Sequence, residues 1–153
     1  MTFDTPNGTT GARQPAAGPL MRWLNRFADK RIRKGGTFFG GMNALMLTTV
    51  GRKTGTERRT PVGWFPGEDG SWLIVASAAG APKNPAWYYN IAAHPDKIRI
   101  ELAGRTHDVT AEQLHGADRD RAWQQITTAA PRFAEYQRKT DRQLPVIRLT
   151  TRH

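Results

Sequence analysis

The sequence predicts a mainly β fold with helices, an α+β architecture in which an antiparallel sheet closes into a small barrel and helices lie outside it. Three observations carry this. The elements run helix, three strands, short helix, two strands, helix, strand. Neighbouring strands are joined by hairpin-length turns. No regular strand–helix–strand alternation of the kind that builds parallel sheets occurs. A chain of 153 residues suits one domain with a real core.

Residues 1–19 are rich in Thr, Gly, Pro and Ala, with Phe3 as the large apolar residue, and read as a disordered, mobile tail ahead of a single domain over 20–153. Residues 20–34 follow as a helix that Pro19 can open and Gly35-Gly36 can end. Leu20, Trp23, Leu24, Phe27 and Ile32 fall near helical spacing with basic residues between them, which makes the helix amphipathic and basic. Such a helix can pack on the domain with a solvated basic face, or lie on an anionic membrane surface with Trp23 and Phe27 in the lipid.

"ALMLTTV" (44–50) reads as a strand, and "RTPVGWF" (59–65) as its hairpin partner. "PGEDG" (66–70) is a dense turn signal. "SWLIVAS" (71–77) is a strand whose continuous apolar run predicts burial on both faces, and "AAGAP" (78–82) is a small-residue loop. "KNPAWYYNIAAHP" (83–95) reads as a short helix, with Asn84 placed to cap it, Pro85 at its first position and His94-Pro95 to end it. Residues 97–104 and 105–114 alternate as two strands around Ala103-Gly104. Residues 118–130 form a helix with Ala122, Trp123, Ile126 and Ala130 on one side, 132–140 a further helical segment, and 145–151 the closing strand.

The formal charge is +10, from 23 basic and 13 acidic residues, which favours anionic partners. It is concentrated: residues 20–34 carry +5 and residues 51–60 carry +3, eight of the ten net charges. There is no cysteine, hence no disulfide framework or thiolate chemistry, and a cytoplasmic location fits. No apolar run approaches the roughly 20 residues that span a bilayer, and the start of the chain lacks the pattern of a secretory signal.

The four histidines lack metal-ligand spacing, so no metal is expected. No phosphate-binding Gly-Lys-Ser/Thr loop occurs, nor a G-x-G-x-x-G after a strand, nor a Gly-x-Ser-x-Gly setting around Ser77. An enzyme this poor in nucleophiles would need a cofactor to carry the reaction.

In "LTTVGRKTGTERRTPVGWF" (47–65), the glycines at 51 and 55 permit close backbone approach, and successive amides can form a concave anion site. Arg52, Arg58 and Arg59 can grip phosphate or carboxylate at two points, while Lys53 acts as a point charge. A solvated basic hairpin accounts for the same residues. In "VASAAGAPKNPAWYYN" (75–90), small residues leave room for a flat ligand, and the helix start offers amide donors. Trp87 shares a helix face with Asn90 or Ile91, a spacing that suits a heterocycle or a core.

Taken in order, "LTTVGRKTG", "RRTP" (58–61), "VAS" (75–77), "GAPKNPAWYYN" (80–90) and "TDRQLPVI" (140–147) resemble the deazaflavin-dependent nitroreductase family, over roughly Trp23 to Leu149. Its members are actinobacterial split-barrel oxidoreductases, quinone reductases and nitroreductases among them. They use coenzyme F(420), an 8-hydroxy-5-deazaflavin with a phosphodiester and an oligoglutamate tail. The resemblance therefore implies an antiparallel split β-barrel and hydride transfer to an electron-poor acceptor such as a quinone, an enone or a nitroaromatic. It implies coenzyme contacts from Arg52, Lys53 and Thr54; from Arg58, Arg59, Thr60, Pro61, Val62 and Gly63; from Ala76, Ser77, Ala78 and Ala79; and from Ala86, Trp87, Tyr88, Tyr89 and Asn90. Trp23, Phe133 and Tyr136 would meet the acceptor, and Ser77, Tyr136 and Tyr89 are the candidate proton donors, with water as another. Two departures stand out. Phe133 and Ala130 occupy positions where the family can carry hydroxylated aromatics, and Ala78 stands where a cation is often found.

An FMN-binding split barrel is the alternative on the same fold. A nucleic-acid binder has only the charge in its favour, and no recognition motif supports it. Split barrels often pair, so a homodimer is compatible with the sequence. Residues 20–34 would provide any contact with the inner face of the cell membrane.

Overall fold

The computed structural model describes residues 3–11, 37–38 and 42–152. The basic segment 20–34, with Trp23, lies outside them. The strands are β1 (Thr37–Phe38), β2 (Met42–Val50), β3 (Glu57–Gly63), β4 (Phe65–Pro66), β5 (Trp72–Val75), β6 (Ile98–Leu102), β7 (Arg105–Gln113) and β8 (Val146–Thr151). The helices are α1 (Ala86–Ala93), α2 (Gly116–Ala129) and α3 (Arg132–Lys139).

Every pairing is antiparallel. The strands lie side by side as β3, β2, β6, β7, β8, β5 and β4, with β1 on the start of β2. The two ends of that order, β3 and β4, are separated in the chain by Trp64 alone, so the sheet curls round into a half-barrel. This is the antiparallel barrel the sequence predicts.

Register follows from the period-2 pattern, because a one-residue slip would turn the apolar set to the wrong face. In β2 and β3, Leu45 faces Val62, Leu47 faces Thr60, and Thr49 faces Arg58. Leu45, Leu47 and Val62 point into the barrel core with Ile74, Ile98, Ile100, Val109, Ile147 and Leu149. The same inward row runs on towards Thr49 and Arg58, so it turns polar and then cationic at the end of the barrel. Helix α1 is buried at Trp87, Tyr88, Asn90 and Ile91, and Trp87, Tyr88 and Ile91 belong to the barrel core.

A second core lies where α2 and α3 cover the outside of β4, β5 and β8, built from Phe65, Leu73, Val75, Ile126, Phe133, Leu144 and Val146. The continuous apolar run of 71–77 is explained by these two cores: Ile74 faces the barrel, and Leu73 and Val75 face the helices.

Two local expectations change. Residues 3–11, expected as part of a mobile tail, are laid against the barrel. Phe3 is buried edge-on to Tyr88, with ring centroids 5.9 Å apart. The Thr5 amide donates to the Tyr88 hydroxyl (3.1 Å), the Gly8 amide to the Pro82 carbonyl (2.6 Å), and the Thr9 and Thr10 amides to Asp141. One buried aromatic and a set of specific partners hold a segment whose composition alone suggested none. The second change is at α1, which begins after Pro85 with no side-chain cap. Asn84 does not cap it, because its side chain is drawn into the network described below.

Candidate active site

The β2–β3 turn is held from inside the protein. Asn90, on α1, accepts the Arg52 amide through Oδ1 (3.1 Å) and donates from Nδ2 to the Thr49 hydroxyl (3.2 Å). One buried amide side chain therefore fixes both the end of β2 and the first residue of the turn. The turn closes on itself through Gly51 N–H to Thr56 C=O and Gly55 N–H to Gly51 C=O, both 2.8 Å. Position 51 admits only glycine without rearrangement, since a Cβ there would sit 2.7 Å from the Thr54 hydroxyl.

Beside this turn lies a cleft of about 650 Å³, a size typical of small-molecule sites. It is lined by Gly51, Arg52, Lys53 and Thr54, by Glu57, Arg58, Arg59 and Thr60, and by Ala86, Trp87 and Asn90. Arg59 is paired with Glu101 (3.1 Å) and Glu57 with Arg99 (2.6 Å). Among the described residues no carboxylate pairs with Arg52, Lys53 or Arg58. The Arg52 guanidinium instead lies 4.7 Å from the centre of the Tyr89 ring, a cation–π contact. The walls are thus cationic on the hairpin side and partly apolar on the helix side, where Ala86 and Trp87 stand.

Nine of the residues expected to bind cofactor come together here: Arg52, Lys53, Thr54, Arg58, Arg59, Thr60, Ala86, Trp87 and Asn90. The sequence reading left out Gly51 and Glu57; the one acid inside the basic turn was the available signal for Glu57. Pro61, Val62 and Gly63 continue down β3 away from the cleft, and Val62 is in the barrel core. Tyr88 is also turned away. Its hydroxyl donates to Gln113 Oε1 (2.6 Å) deep in the barrel, and burial raises its pKa above the usual tyrosine value.

Ala76, Ser77, Ala78 and Ala79 form a separate wall that does not line this cleft. Here the chain makes a tight turn with positive φ at three successive residues: Ala78 (46°), Ala79 (54°) and Gly80 (83°). Left-handed backbone costs a residue with a Cβ roughly 1–2 kcal/mol, so two alanines in succession mark a held conformation. The turn packs on α3, and a Cβ on Gly80 would sit 2.6 Å from the Tyr136 carbonyl oxygen.

Arg142, which the sequence reading did not single out, reaches this turn from the segment between α3 and β8. It is 2% exposed. It donates to the carbonyls of Ala76 (2.8 Å), Ser77 (2.9 Å) and Ala81 (3.0 and 3.3 Å), and to Asn84 Oδ1 (2.7 Å).

Tyr136 lies on α3 with its ring edge-on to Phe133 at 5.6 Å. Phe133 is buried in the second core against Phe65, also at 5.6 Å. Neither residue lines the cationic cleft. No group of His, Cys, Asp and Glu suited to a metal occurs among the described residues.

A half-barrel with a cationic cleft beside a buried aromatic helix suits an anionic, partly apolar small molecule. Comparison with known proteins gives the family. Residues 20–151 match the model of the F(420)H(2)-dependent quinone reductase family, and the chain belongs to it. An F(420)H(2)-dependent quinone reductase of Mycobacterium tuberculosis is 34% identical over 149 residues, covering 87% of this chain and 99% of the relative. The solved structure of an F(420)H(2)-dependent reductase (FDR-A) has a TM-score of 0.63 at 37% identity, covering 70% of this chain and 93% of that one. A second solved relative, described as a domain-swapped dimer, has a TM-score of 0.65 at 32% identity, covering 86% of this chain and 96% of that one. The fold is therefore the split-barrel type of these reductases, and the function is that of an F(420)-dependent oxidoreductase.

Proposed function

We propose that the cationic cleft binds the phosphodiester and glutamate end of reduced coenzyme F(420), and that the chain passes hydride from it to a quinone-type acceptor. The observation that carries this reading is the set of three cations, Arg52, Lys53 and Arg58, facing one cleft with no carboxylate partner among the described residues. The residues suit the group. A polyanionic tail answers the uncompensated charge, and Ala86 and Trp87 offer apolar surface to the ring end. When bound, the reduced deazaflavin supplies the hydride.

The chain's own work is to hold, orient and exclude water. The hairpin tip anchors the anionic end, with Asn90 fixing the tip. The turn at Ser77–Gly80 lies outside the lining of the cleft and is proposed to meet the ring end of the coenzyme, as the family resemblance implies. Hydride transfer to a quinone is completed by one proton, and Ser77 and Tyr136 are the hydroxyls proposed to provide it. Phe133, packed in the second core, serves the site through its support of Tyr136. Trp23 and the helix expected over 20–34 would cover the acceptor and carry any membrane contact. No described helix is long and apolar enough to cross a membrane, so such contact would be peripheral. Pairing of two chains is proposed on the likeness to the dimeric relative.

The decisive experiment is a fluorescence titration of the purified chain with F(420), with FMN in parallel. Preferential binding of F(420), lost in the double variant Arg52→Ala, Lys53→Ala, supports the site. Equal affinity of the variant and the wild type would remove the hairpin from it. Flotation with anionic liposomes, with and without residues 1–34, tests the membrane contact, and light scattering tests pairing.

A further inference from the structure

We infer that Arg142 is a positioning residue of the coenzyme site, holding the left-handed turn at Ala78–Gly80 and tying it to the cationic hairpin. This rests on the reading of the cleft given above.

A buried guanidinium is costly to keep without a counter-ion, and burial lowers the Arg142 pKa. Among the described residues no carboxylate meets it. The neighbouring Asp141 turns outward to Thr9 and Thr10 instead. All five N–H donors of Arg142 go to Ala76, Ser77, Ala81 and Asn84. Four of those five bonds end on the main chain at either side of the turn. The left-handed turn points several carbonyls inward, and the planar fork of an arginine matches that spread of acceptors. A lysine carries its donors on one atom and cannot reach both sides.

The link to the hairpin is continuous. Arg142 Nη1 donates to Asn84 Oδ1 (2.7 Å), Asn84 Nδ2 donates to the Tyr89 hydroxyl (3.3 Å), and the Tyr89 ring carries the Arg52 guanidinium at 4.7 Å. One chain of side chains therefore joins the strained wall to a cation that faces the cleft. Packing in a core would need neither the full set of donors nor two alanines at positive φ.

The test is a double-mutant cycle on the full chain, read by F(420) titration, by thermal unfolding, and by kcat and KM with menadione as the quinone. One arm is Arg142→Lys; the other is Ala78→Gly with Ala79→Gly, which relieves the left-handed strain. Arg142→Lys is expected to weaken F(420) binding at least about tenfold, or ~1.4 kcal/mol. With glycines at 78 and 79 the same change is expected to cost about threefold, because the turn no longer needs holding. A merely structural arginine would lower the unfolding temperature but leave the affinity of the folded protein within about twofold of wild type, or give the same fold-loss in both backgrounds. Either result overturns the inference. If Arg142→Lys does not fold, Asn84→Ser is read instead, as it removes the Asn84 bonds to Arg142, Tyr89 and the Thr5 carbonyl but leaves the four bonds of Arg142 to the main chain in place. A roughly threefold loss of affinity supports the link, and an unchanged Kd overturns it. A wild-type chain that binds no F(420) overturns the functional reading and this inference together, whereas wild-type binding with unmoved variants overturns this inference alone.

Discussion

Asn90→Ala isolates the contact that fixes the cationic hairpin. Asn90 makes two hydrogen bonds across a sequence separation of about forty residues, one to the Arg52 amide and one to the Thr49 hydroxyl. Removing both, with the 1%-exposed Thr49 left unpaired on that side, is expected to cost about 2–3 kcal/mol of stability. Binding suffers separately. In the variant the Arg52 backbone must be ordered by the ligand, at roughly 1–2 kcal/mol for one residue, so the Kd for F(420) should rise about tenfold.

Thr49→Val separates the two effects. It removes the strand-side bond only, and should lower stability by about 1 kcal/mol while leaving coenzyme affinity within about twofold. Urea unfolding and fluorescence titration read the two quantities on the same preparations. An Asn90→Ala protein that loses stability but keeps wild-type affinity would refute the argument that the tip must be pre-ordered. One that loses neither would refute the hydrogen bonds themselves.

Tyr88→Phe should cost about 1–2 kcal/mol, since the buried hydroxyl serves Gln113 and Thr5, and should leave F(420) affinity unchanged; a weakened Kd in titration would move Tyr88 back into the site. Gly80→Ala should destabilise by more than the ~1–2 kcal/mol of left-handed backbone alone, because its Cβ would meet the Tyr136 carbonyl, and unfolding in urea checks it. Asp141, held at about 2 by bonds from the Thr9 hydroxyl and the Thr9 and Thr10 amides, has a folded pKa below its unfolded value. Its contribution is therefore complete above about pH 4 and lost as pH falls towards 2. Amide protection at residues 8–11, taken relative to the intrinsic exchange rate at each pH, should fall over that interval in the wild type and be low throughout in Asp141→Asn. Unchanged protection across it would show that Asp141 does not hold the segment.

The parts of the fold whose signals are local and periodic were legible in the residues alone. The apolar run of 44–50 and the alternation in 97–104 and 105–114 marked strands, because one face of each had to be buried. The apolar run at Leu73, Ile74 and Val75 announced burial on both sides, and the helical spacing of Ala122 and Ile126 announced an outer layer. Clustered charge at Arg52, Lys53, Arg58 and Arg59 pointed to an anion site at the hairpin, and these four residues do line the cleft, although the same cluster also fitted a solvated basic hairpin.

Features that depend on partners distant in the chain had no signal in the residues and emerge only from how the elements pack. Asn90 looked like one side of an aromatic helix and proved to be the brace of the hairpin. Arg142 sits some sixty residues from the carbonyls it satisfies, and no periodicity betrays a hydrogen bond across that separation. Phe133 has the composition of a pocket residue but faces Phe65, because α3 packs over β4 and β5 and turns it inward. Phe3 anchors a segment that composition assigned to a tail: one ring finding a gap beside Tyr88 outweighs the polar residues around it. Periodicity reports which way a residue faces along its own element, whereas a site is made where elements meet.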